Sequence, residues 1–345
     1  MDEDEIAHPY NDSNRAFLQA FLARGTMTFK ESQPILASIF TAQDQLERGA
    51  EAEATRADQV TREDFQSYVS AASAAVSPLD MEIRSATHQV TRERVYALVN
   101  TTSDAPTQLA TLHGPEEIAF ARRLVDALFD TYNTPRAEAL CLDGMQANKL
   151  RKPARGADDD DSVLPHADGE NAGAEPAGAL KGLKPSEVET ALRRLVDEGW
   201  LERSRAGFYS LAPRALVELR AYLVDAFNDA DEAAADPRAW QRVKFCEACR
   251  EIVTVGLRCA ERDCNVRLHD GCADKFWRAR GEEGGRTCPR CSTAWTGRDY
   301  VGERAVTETP LYQRGRRKSG KGRERREQQV VVEEEEMEDA QGDEE

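Results

Sequence analysis

The sequence predicts an α+β protein that ends in a small zinc-binding module, and three observations support this fold class. Apolar residues at helical spacing are followed by two strand-like runs, and this order occurs twice along the chain. Eight residues that can ligate zinc then fall in one short C-terminal stretch. The chain has 345 residues, 40% hydrophobic and 32% charged, so it has room for two or three compact domains joined by polar segments.

The first unit is expected over residues 10–132. Apolar residues at helical spacing predict three helices, which include residues 17–22, 35–40 and 65–72. Pro78 ends the third helix, because the residue before a proline avoids the helical region. The runs 81–90 and 94–100 are expected to form a hairpin, and a last helix begins near Pro115. Helices followed by a β-hairpin are the winged-helix pattern.

The second unit is expected over residues 135–235 and repeats this order more compactly. A disordered insertion is predicted at about 153–182, where acidic residues and a run of Ala, Gly and Pro bury too little apolar surface to offset the entropy of ordering. A helix with one apolar face follows, then a hairpin around 204–207 and a final helix over 214–227. This order predicts a second winged helix.

The zinc-binding module is expected over residues 243–297, where the chain carries eight potential ligands. They are Cys246, Cys249, Cys259, Cys264, His269, Cys272, Cys288 and Cys291. Eight ligands complete two tetrahedral zinc shells. Three of the four ligand pairs have the two-residue spacer of a knuckle, a short turn that points both side chains at one ion. Closed shells leave no position for water, so both zinc ions are expected to be structural.

A disulfide framework is the alternative for so many cysteines, and it would need an oxidising compartment. The opening MDEDEIAHPY lacks the basic and apolar regions of a signal peptide. No stretch approaches the roughly 18 apolar residues of a membrane span, so no membrane partner is expected. Disulfides would also leave His269 and an odd seventh cysteine unexplained. Cys141, outside the cluster, is expected to be an ordinary buried thiol.

The order of the ligands is four Cys, one His and three Cys, and it fits both RING variants and PHD fingers. Taken alone, this order allows interleaved or sequential pairing of the ligands. PHD fingers usually carry an aromatic residue two positions before the last Cys pair, where this chain has Arg286, and this difference argues against a PHD-like reader of histone tails. RING modules place a Trp after the sixth ligand and a Pro inside the last knuckle, and this chain has Trp277 and Pro289.

Several stretches point to a known family. They are residues 11–25 (NDSNRAFLQAFLARG), 77–84 (SPLDMEIR), 95–102, 198–201 and 207–211, and the zinc module follows them. Together they resemble non-SMC element one, a subunit of the SMC five/six complex, over roughly residues 10–300 apart from the insertion. The resemblance implies tandem winged-helix domains followed by a two-zinc C4HC3 RING-like module.

The resemblance also implies a function and a set of partners. It implies a nuclear subunit that acts in DNA repair and recombination and pairs with a MAGE-type partner, non-SMC element three, and a kleisin, non-SMC element four. It further implies association with the SMC five/six heterodimer and, through the RING, E3 ubiquitin ligase activity with a ubiquitin-conjugating enzyme. The alternative is a non-catalytic scaffold whose zinc module and winged helices only mediate assembly.

The resemblance assigns roles to individual residues of the module. The first zinc ion would take Cys246, Cys249, His269 and Cys272, and the second would take Cys259, Cys264, Cys288 and Cys291. Trp277, Pro289 and Ala248 are the candidate contacts for the conjugating enzyme. Ala248 is smaller than the apolar residue usual inside the first knuckle, and Ser292 replaces a common basic residue after the last ligand. We therefore expect any ligase activity to depend on a partner.

Charge is distributed unevenly along the chain. The formal net charge is −17, yet residues 333–345 alone carry nine acids and no base, and a basic run precedes them over 314–326. The segment 302–345 is expected to be a disordered, basic-then-acidic tail, and its basic run suits a nuclear-localisation signal. A weak DNA contact is expected from a basic face of the second unit that comprises Lys181, Lys184, Arg193, Arg194, Arg203 and Arg205.

Overall fold

A computed structural model describes residues 10–49, 51, 53–101, 113–153, 182–236, 239–281 and 286–315. These residues form three units in chain order, two with the same helix and strand arrangement and a third around the cysteines. Within these ranges, no helix combines the length and the apolar character that crossing a membrane requires.

The first unit is a winged helix. Its elements are α1 (Asp12–Arg24), β1 (Thr26–Thr28), α2 (Phe29–Arg48), α3 (Arg62–Val76), β2 (Met81–Thr87) and β3 (Arg94–Asn100). The three strands form an antiparallel sheet in the order β1-β3-β2, with β2 and β3 as the hairpin, or wing. Reciprocal capping boxes begin the three helices, with N-caps at Asn11, Thr28 and Thr61.

The second unit repeats this order. Its elements are α4 (Pro115–Asp126), which continues as a π-helical turn (Ala127–Thr131), β4 (Leu142–Asp143), α5 (Gly144–Lys149), α6 (Pro185–Asp197), β5 (Leu201–Arg203) and β6 (Phe208–Leu211). The sheet order, β4-β6-β5, matches that of the first unit. The tandem winged-helix prediction is therefore confirmed.

Three short helices follow, namely α7 (Pro213–Glu218), α8 (Arg220–Phe227) and α9 (Ala230–Ala235). The single helix expected over 214–227 is instead broken at Leu219, which lies between α7 and α8 with a ψ of 4°. The apolar residues keep helical spacing across this break, so the spacing alone did not reveal it.

Helix α4 belongs to the second core, although the sequence pattern grouped it with the first unit. Phe120, Leu124 and Leu128 are buried in one cluster with Leu142 and Leu192 of the second unit. The first core is a separate cluster built around the aromatic residues of α1 and α3. Apolar spacing shows that a helix buries one face but does not show which core that face packs against. The structure therefore corrects the assignment of α4, which is the first helix of the second winged helix.

The two chain segments that flank the insertion of the second unit contact each other. Leu183 N donates to Arg151 O over 2.9 Å, and a Cβ atom on Gly182 would lie 2.5 Å from that oxygen. Gly182 also has a φ of +72°, which favours glycine. Residues 154–181, the bulk of the predicted disordered insertion, lie outside the described residues.

The third unit contains β7 (Gly256–Arg258), β8 (Arg267–Leu268), α10 (Asp270–Arg280) and β9 (Tyr300–Val301), with the sheet order β8-β7-β9. Helix α11 (Arg304–Thr307) comes next. Val306 and Tyr312 pack against the buried Cys141 and Phe208, so the predicted disordered tail does not start at 302. These two apolar residues anchor its first part, through residue 315, and residues 316–345 lie outside the described part.

A buried ion cluster joins the third unit to the second. Glu138, 2% exposed, lies between α4 and β4, and Arg267, fully buried, lies on β8. Arg267 Nε donates to Glu138 Oε2 over 2.7 Å, and its Nη2 reaches Oε1. Lys244 Nζ and Arg258 Nη1 each lie 3.3 Å from Oε1. Burial alone would raise the pKa of the Glu138 carboxyl, but these cations, Arg267 above all, hold it at about 2.

The substitution Glu138→Gln is expected to destabilise the protein by about 3–5 kcal/mol, because it leaves the buried guanidinium groups of Arg258 and Arg267 without their anion. The Glu138 carboxylate contributes fully to the free energy of unfolding above its ordinary pKa of 4.5, and this contribution is lost as the pH falls through about 2. A measurement at pH 7 therefore records the whole contribution. Chemical denaturation followed by tryptophan fluorescence measures the loss. Glu189→Gln, on the exposed face of α6, is the control and should change stability by less than about 0.5 kcal/mol. Equal stability of the two variants would contradict the role of Glu138.

Candidate metal centres

The third unit brings the eight candidate ligands together as two groups of four. Site 1 consists of Cys246, Cys249, His269 and Cys272, and site 2 consists of Cys259, Cys264, Cys288 and Cys291. Within each site the four ligand atoms lie within 4.8 Å of one another. The two sites are interleaved along the chain, so the sequential pairing that the ligand order left open is not the one adopted.

Site 1 is built from a knuckle and the start of a helix. Cys246 and Cys249 lie in a tight turn closed by Arg250 N, which donates to Cys246 O over 2.9 Å. His269 is the N-cap residue of α10, and Cys272 N donates back to His269 O over 3.0 Å in the first turn. The first turn of the helix therefore presents two ligands toward the knuckle.

The imidazole of His269 is oriented by a backbone carbonyl. Its Nδ1 atom lies 3.3 Å from Cys249 Sγ and 4.0 Å from Cys272 Sγ. Its Nε2 atom lies 3.1 Å from Ile252 O, which can only accept a hydrogen bond. The ring must therefore carry its proton on Nε2 and leave Nδ1 free to ligate a metal ion, the usual arrangement of a zinc-bound histidine.

Site 2 uses a knuckle of the same design. Ser292 N donates to Cys288 O over 3.0 Å, as Arg250 N does to Cys246 O in site 1. Ser292 and Arg250 both follow the last cysteine of their knuckle, and both have positive φ angles, 60° and 63°. The sulfur atoms of Cys264 and Cys288 lie 3.6 Å apart.

The chemistry of the donor atoms suits zinc. Burial raises the pKa of Cys272 to about 12 and that of Cys264 to about 11, and neighbouring sulfur atoms add to both shifts. These two cysteines are therefore thiols in the absence of a cation, and a bound metal ion would favour the thiolate form that ligates it. Zn²⁺ accepts four thiolates, or three thiolates and an imidazole, as a tetrahedron, and four protein ligands leave no open position for catalysis.

The three candidate contacts for a conjugating enzyme have different surroundings. Ala248 and Pro289 are exposed, one in each knuckle. Trp277 is only 6% exposed, and its ring centroid lies 5.3 Å from that of Trp295 and 5.1 Å from that of Phe276. The indole of Trp277 is therefore part of the core of the module, while the two smaller residues face solvent.

The basic residues predicted to contact DNA are partly engaged within the protein. Arg194 Nη1 lies 3.2 Å from Glu117 Oε1, and Arg203 lies over the ring of Tyr209 at 5.6 Å. Arg193 and Arg205 are exposed, whereas Lys181 lies outside the described residues. DNA contact by this face stays a prediction.

Sequence reasoning missed two residues that hold the module in place. Glu138 stands alone among apolar residues, and Gln89 lies in a polar turn of the wing. Each forms hydrogen bonds with residues more than 100 positions later in the chain. The only feature of the neighbouring sequence that could have pointed to such a role is an acidic residue beside a hydrophobic run. Glu138 has this feature and Gln89 does not.

Comparison with known proteins gives two family matches. Residues 14–219 match the family described as Nse1 non-SMC component of SMC5-6 complex, and residues 246–291 match a RING-like domain.

Full-length relatives share modest identity with the chain. The non-structural maintenance of chromosomes element 1 homolog of Xenopus laevis is 23% identical over 84% of this chain and 85% of its own length. The Homo sapiens homolog is 20% identical over 82% and 84%. Element 1 of Schizosaccharomyces pombe is 24% identical over 65% and 73%. A solved chain of an Nse1-Nse3-Nse4 complex, 21% identical, has a TM-score of 0.56 and covers 83% of this chain and 97% of its own, which shows a shared fold.

Cobalt substitution separates the interleaved pairing from the sequential one. In Cys249→Ser the intact site should be the four-cysteine site 2, and in Cys288→Ser it should be site 1, with three cysteines and one histidine. The d–d absorption bands of Co²⁺ distinguish these donor sets, and native mass spectrometry should count two zinc ions in the unmodified protein and one in each variant. Sequential pairing would exchange the two spectra. Cys141→Ser, a buried thiol outside both sites, is the control and should keep both ions.

Proposed function

Because the chain belongs to the family of Nse1 non-SMC components of SMC5-6 complexes, we propose that it is the RING-like subunit of such a complex and supports ubiquitin transfer when a partner is bound. Its proposed partners are a MAGE-type Nse3 protein and a kleisin of the Nse4 type, together with the SMC heterodimer. The name of the solved Nse1-Nse3-Nse4 complex, whose Nse1-like chain shares this fold, supports the first two.

The observation that carries the ligase proposal is the pair of exposed knuckles on a module with closed metal sites. Ala248 and Pro289 face solvent at the two positions where RING modules contact a conjugating enzyme. Neither site has a ligand position free for substrate. The module can therefore act only by binding, which places a ubiquitin thioester near an acceptor lysine.

Several features support dependence on a partner. Ala248 offers little apolar surface to a conjugating enzyme, and the buried Trp277 adds almost none. Ser292 takes its backbone conformation from the knuckle and carries no positive charge that would brace ubiquitin. A partner that supplies further contact surface would compensate for these deficits.

The second candidate function is a non-catalytic scaffold, and one observation favours it. Glu138 ties the zinc module to the second winged helix, and the strand β9 and helix α11 continue from the module onto that unit. Such an integrated module suits a docking surface that keeps one orientation. Under this alternative the zinc ions stabilise a shape and the knuckles contact assembly partners alone.

The last part of the proposal concerns the cellular setting. We propose a nuclear protein that acts in DNA repair and recombination. The family membership and the basic run over 314–326 support this proposal. Weak direct DNA contact through Arg193 and Arg205 is part of the same proposal.

Ubiquitin transfer should require both the partner proteins and the exposed knuckles. In a reconstituted assay with purified Nse3-type and Nse4-type partners, Pro289→Ala and Ala248→Asp are each expected to lower the rate of ubiquitin-chain formation about tenfold. The first removes apolar surface at a proposed contact of the conjugating enzyme, and the second places a charge at the other. Gel-based kinetics with a panel of conjugating enzymes measures the rate.

The matched control is Asp263→Ala, an exposed change in the same module between two site 2 ligands. This variant should keep the rate of the unmodified protein. All three variants must bind two zinc ions and co-purify with the partners. Equal background signal in every sample, with the complex intact, would reject the ligase function and leave the scaffold.

A further inference from the structure

One side chain of the first winged helix reaches the zinc module. Gln89 lies in the loop between β2 and β3 and donates from Nε2 to Ile252 O over 2.9 Å. Its Oε1 atom accepts from Thr254 N and Val255 N over 3.0 and 2.8 Å. The amide orientation is unambiguous, since the backbone carbonyl can only accept and the two N–H groups can only donate.

The carbonyl of Ile252 links this contact to site 1. The same oxygen accepts the Nε2 proton of His269 over 3.1 Å, so both of its lone pairs are used. Ile252 itself is buried, as are Val253 and Thr254. Gln89 therefore fixes the segment whose carbonyl orients a metal ligand, although Gln89 precedes Ile252 by 163 positions.

The loop that carries Gln89 is itself held firmly. His88 Nδ1 accepts from Val90 N and Thr91 N over 3.1 and 3.2 Å, and Arg92 N donates to His88 O over 2.9 Å. His88 Nε2 lies 3.2 Å from the Glu202 carboxylate of the second winged helix. The loop is thus tied to a second unit and is not free to drift away from the zinc module.

The same loop covers the metal ligands from a second side. Arg92 packs against Gly271, between His269 and Cys272, where a Cβ atom would lie only 3.2 Å from Arg92 Nε. The loop also borders a cleft of about 480 Å³ whose wall includes the site 1 ligands Cys249, His269 and Cys272. It therefore contacts site 1 through the histidine acceptor and through the start of α10.

We infer that Gln89 is a positioning residue for zinc site 1, through which the first winged helix controls how tightly that ion is held. This role of Gln89 depends on the geometry of His269 and on zinc as the bound metal of the proposed function, and it is the same in a ligase and in a scaffold. A partner that moves the wing would weaken or strengthen site 1 and leave site 2 unchanged. Binding of such a partner would thus change the zinc module through the ion of site 1.

Gln89→Ala should release the ion of site 1 about tenfold faster than the unmodified protein. This is the low end of the effect of removing a direct hydrogen-bond partner of a zinc-bound histidine, because Gln89 acts on His269 through Ile252 O. Gln89→Glu should also accelerate release, since its carboxylate keeps the two acceptor contacts but repels Ile252 O. The measurement is loss of Co²⁺ from the full-length protein to a chelator, in which the three-cysteine, one-histidine spectrum of site 1 is resolved from that of site 2.

The matched control is Gln66→Ala, an exposed glutamine of α3, which should release both ions at the original rates. Selective loss from site 1 in both Gln89 variants supports the inference. Unchanged release, or equal acceleration at both sites, overturns it. If the unmodified protein bound no Co²⁺ or Zn²⁺ at site 1, the zinc assignment itself would fail, an outcome that a ligase assay would not reveal.

Discussion

The structure depends on one carboxylate buried among three cations. Glu138 would cost several kcal/mol to bury alone, and Arg267, Lys244 and Arg258 would each be costly without it. All three cations come from the zinc module, and Arg267 lies only two residues before the ligand His269. The cluster therefore sets where the module sits, and with it the direction in which both knuckles point.

The winged helices hold in place a module whose two ligand clusters could each bind a zinc ion. The zinc module has a small apolar core, in which Trp277 and Trp295 are the largest side chains, and a module with so little core is the kind that structural metal ions stabilise. Its position depends on Glu138 from one winged helix and Gln89 from the other. A module that contacts both winged helices moves when those units move. This arrangement suits a subunit whose activity responds to assembly, and it suits a scaffold equally well.

Much of this fold was predictable because its signals are local. The number of ligands predicted two four-ligand clusters, and the apolar patterns predicted most of the helices and both hairpins. The interleaving of the sites came from the family resemblance, since spacing allows either pairing. The assignment of α4 to the first unit was wrong, because its apolar stripe fits any core. The order of residues 302–315 was missed, since Val306 and Tyr312 are too sparse to form a pattern. Contacts such as that of Gln89 leave no trace in the neighbouring sequence.

The separation between Glu138 and Arg267 has a consequence for biosynthesis. The two residues are 129 positions apart, so at about 5–20 residues per second a ribosome needs roughly 6–26 seconds to make the second after the first. During that interval the Glu138 carboxylate of the nascent chain lacks the guanidinium group that pairs with it in the folded protein. The docked arrangement of the zinc module on the second winged helix can therefore be completed only after Arg267 has been made.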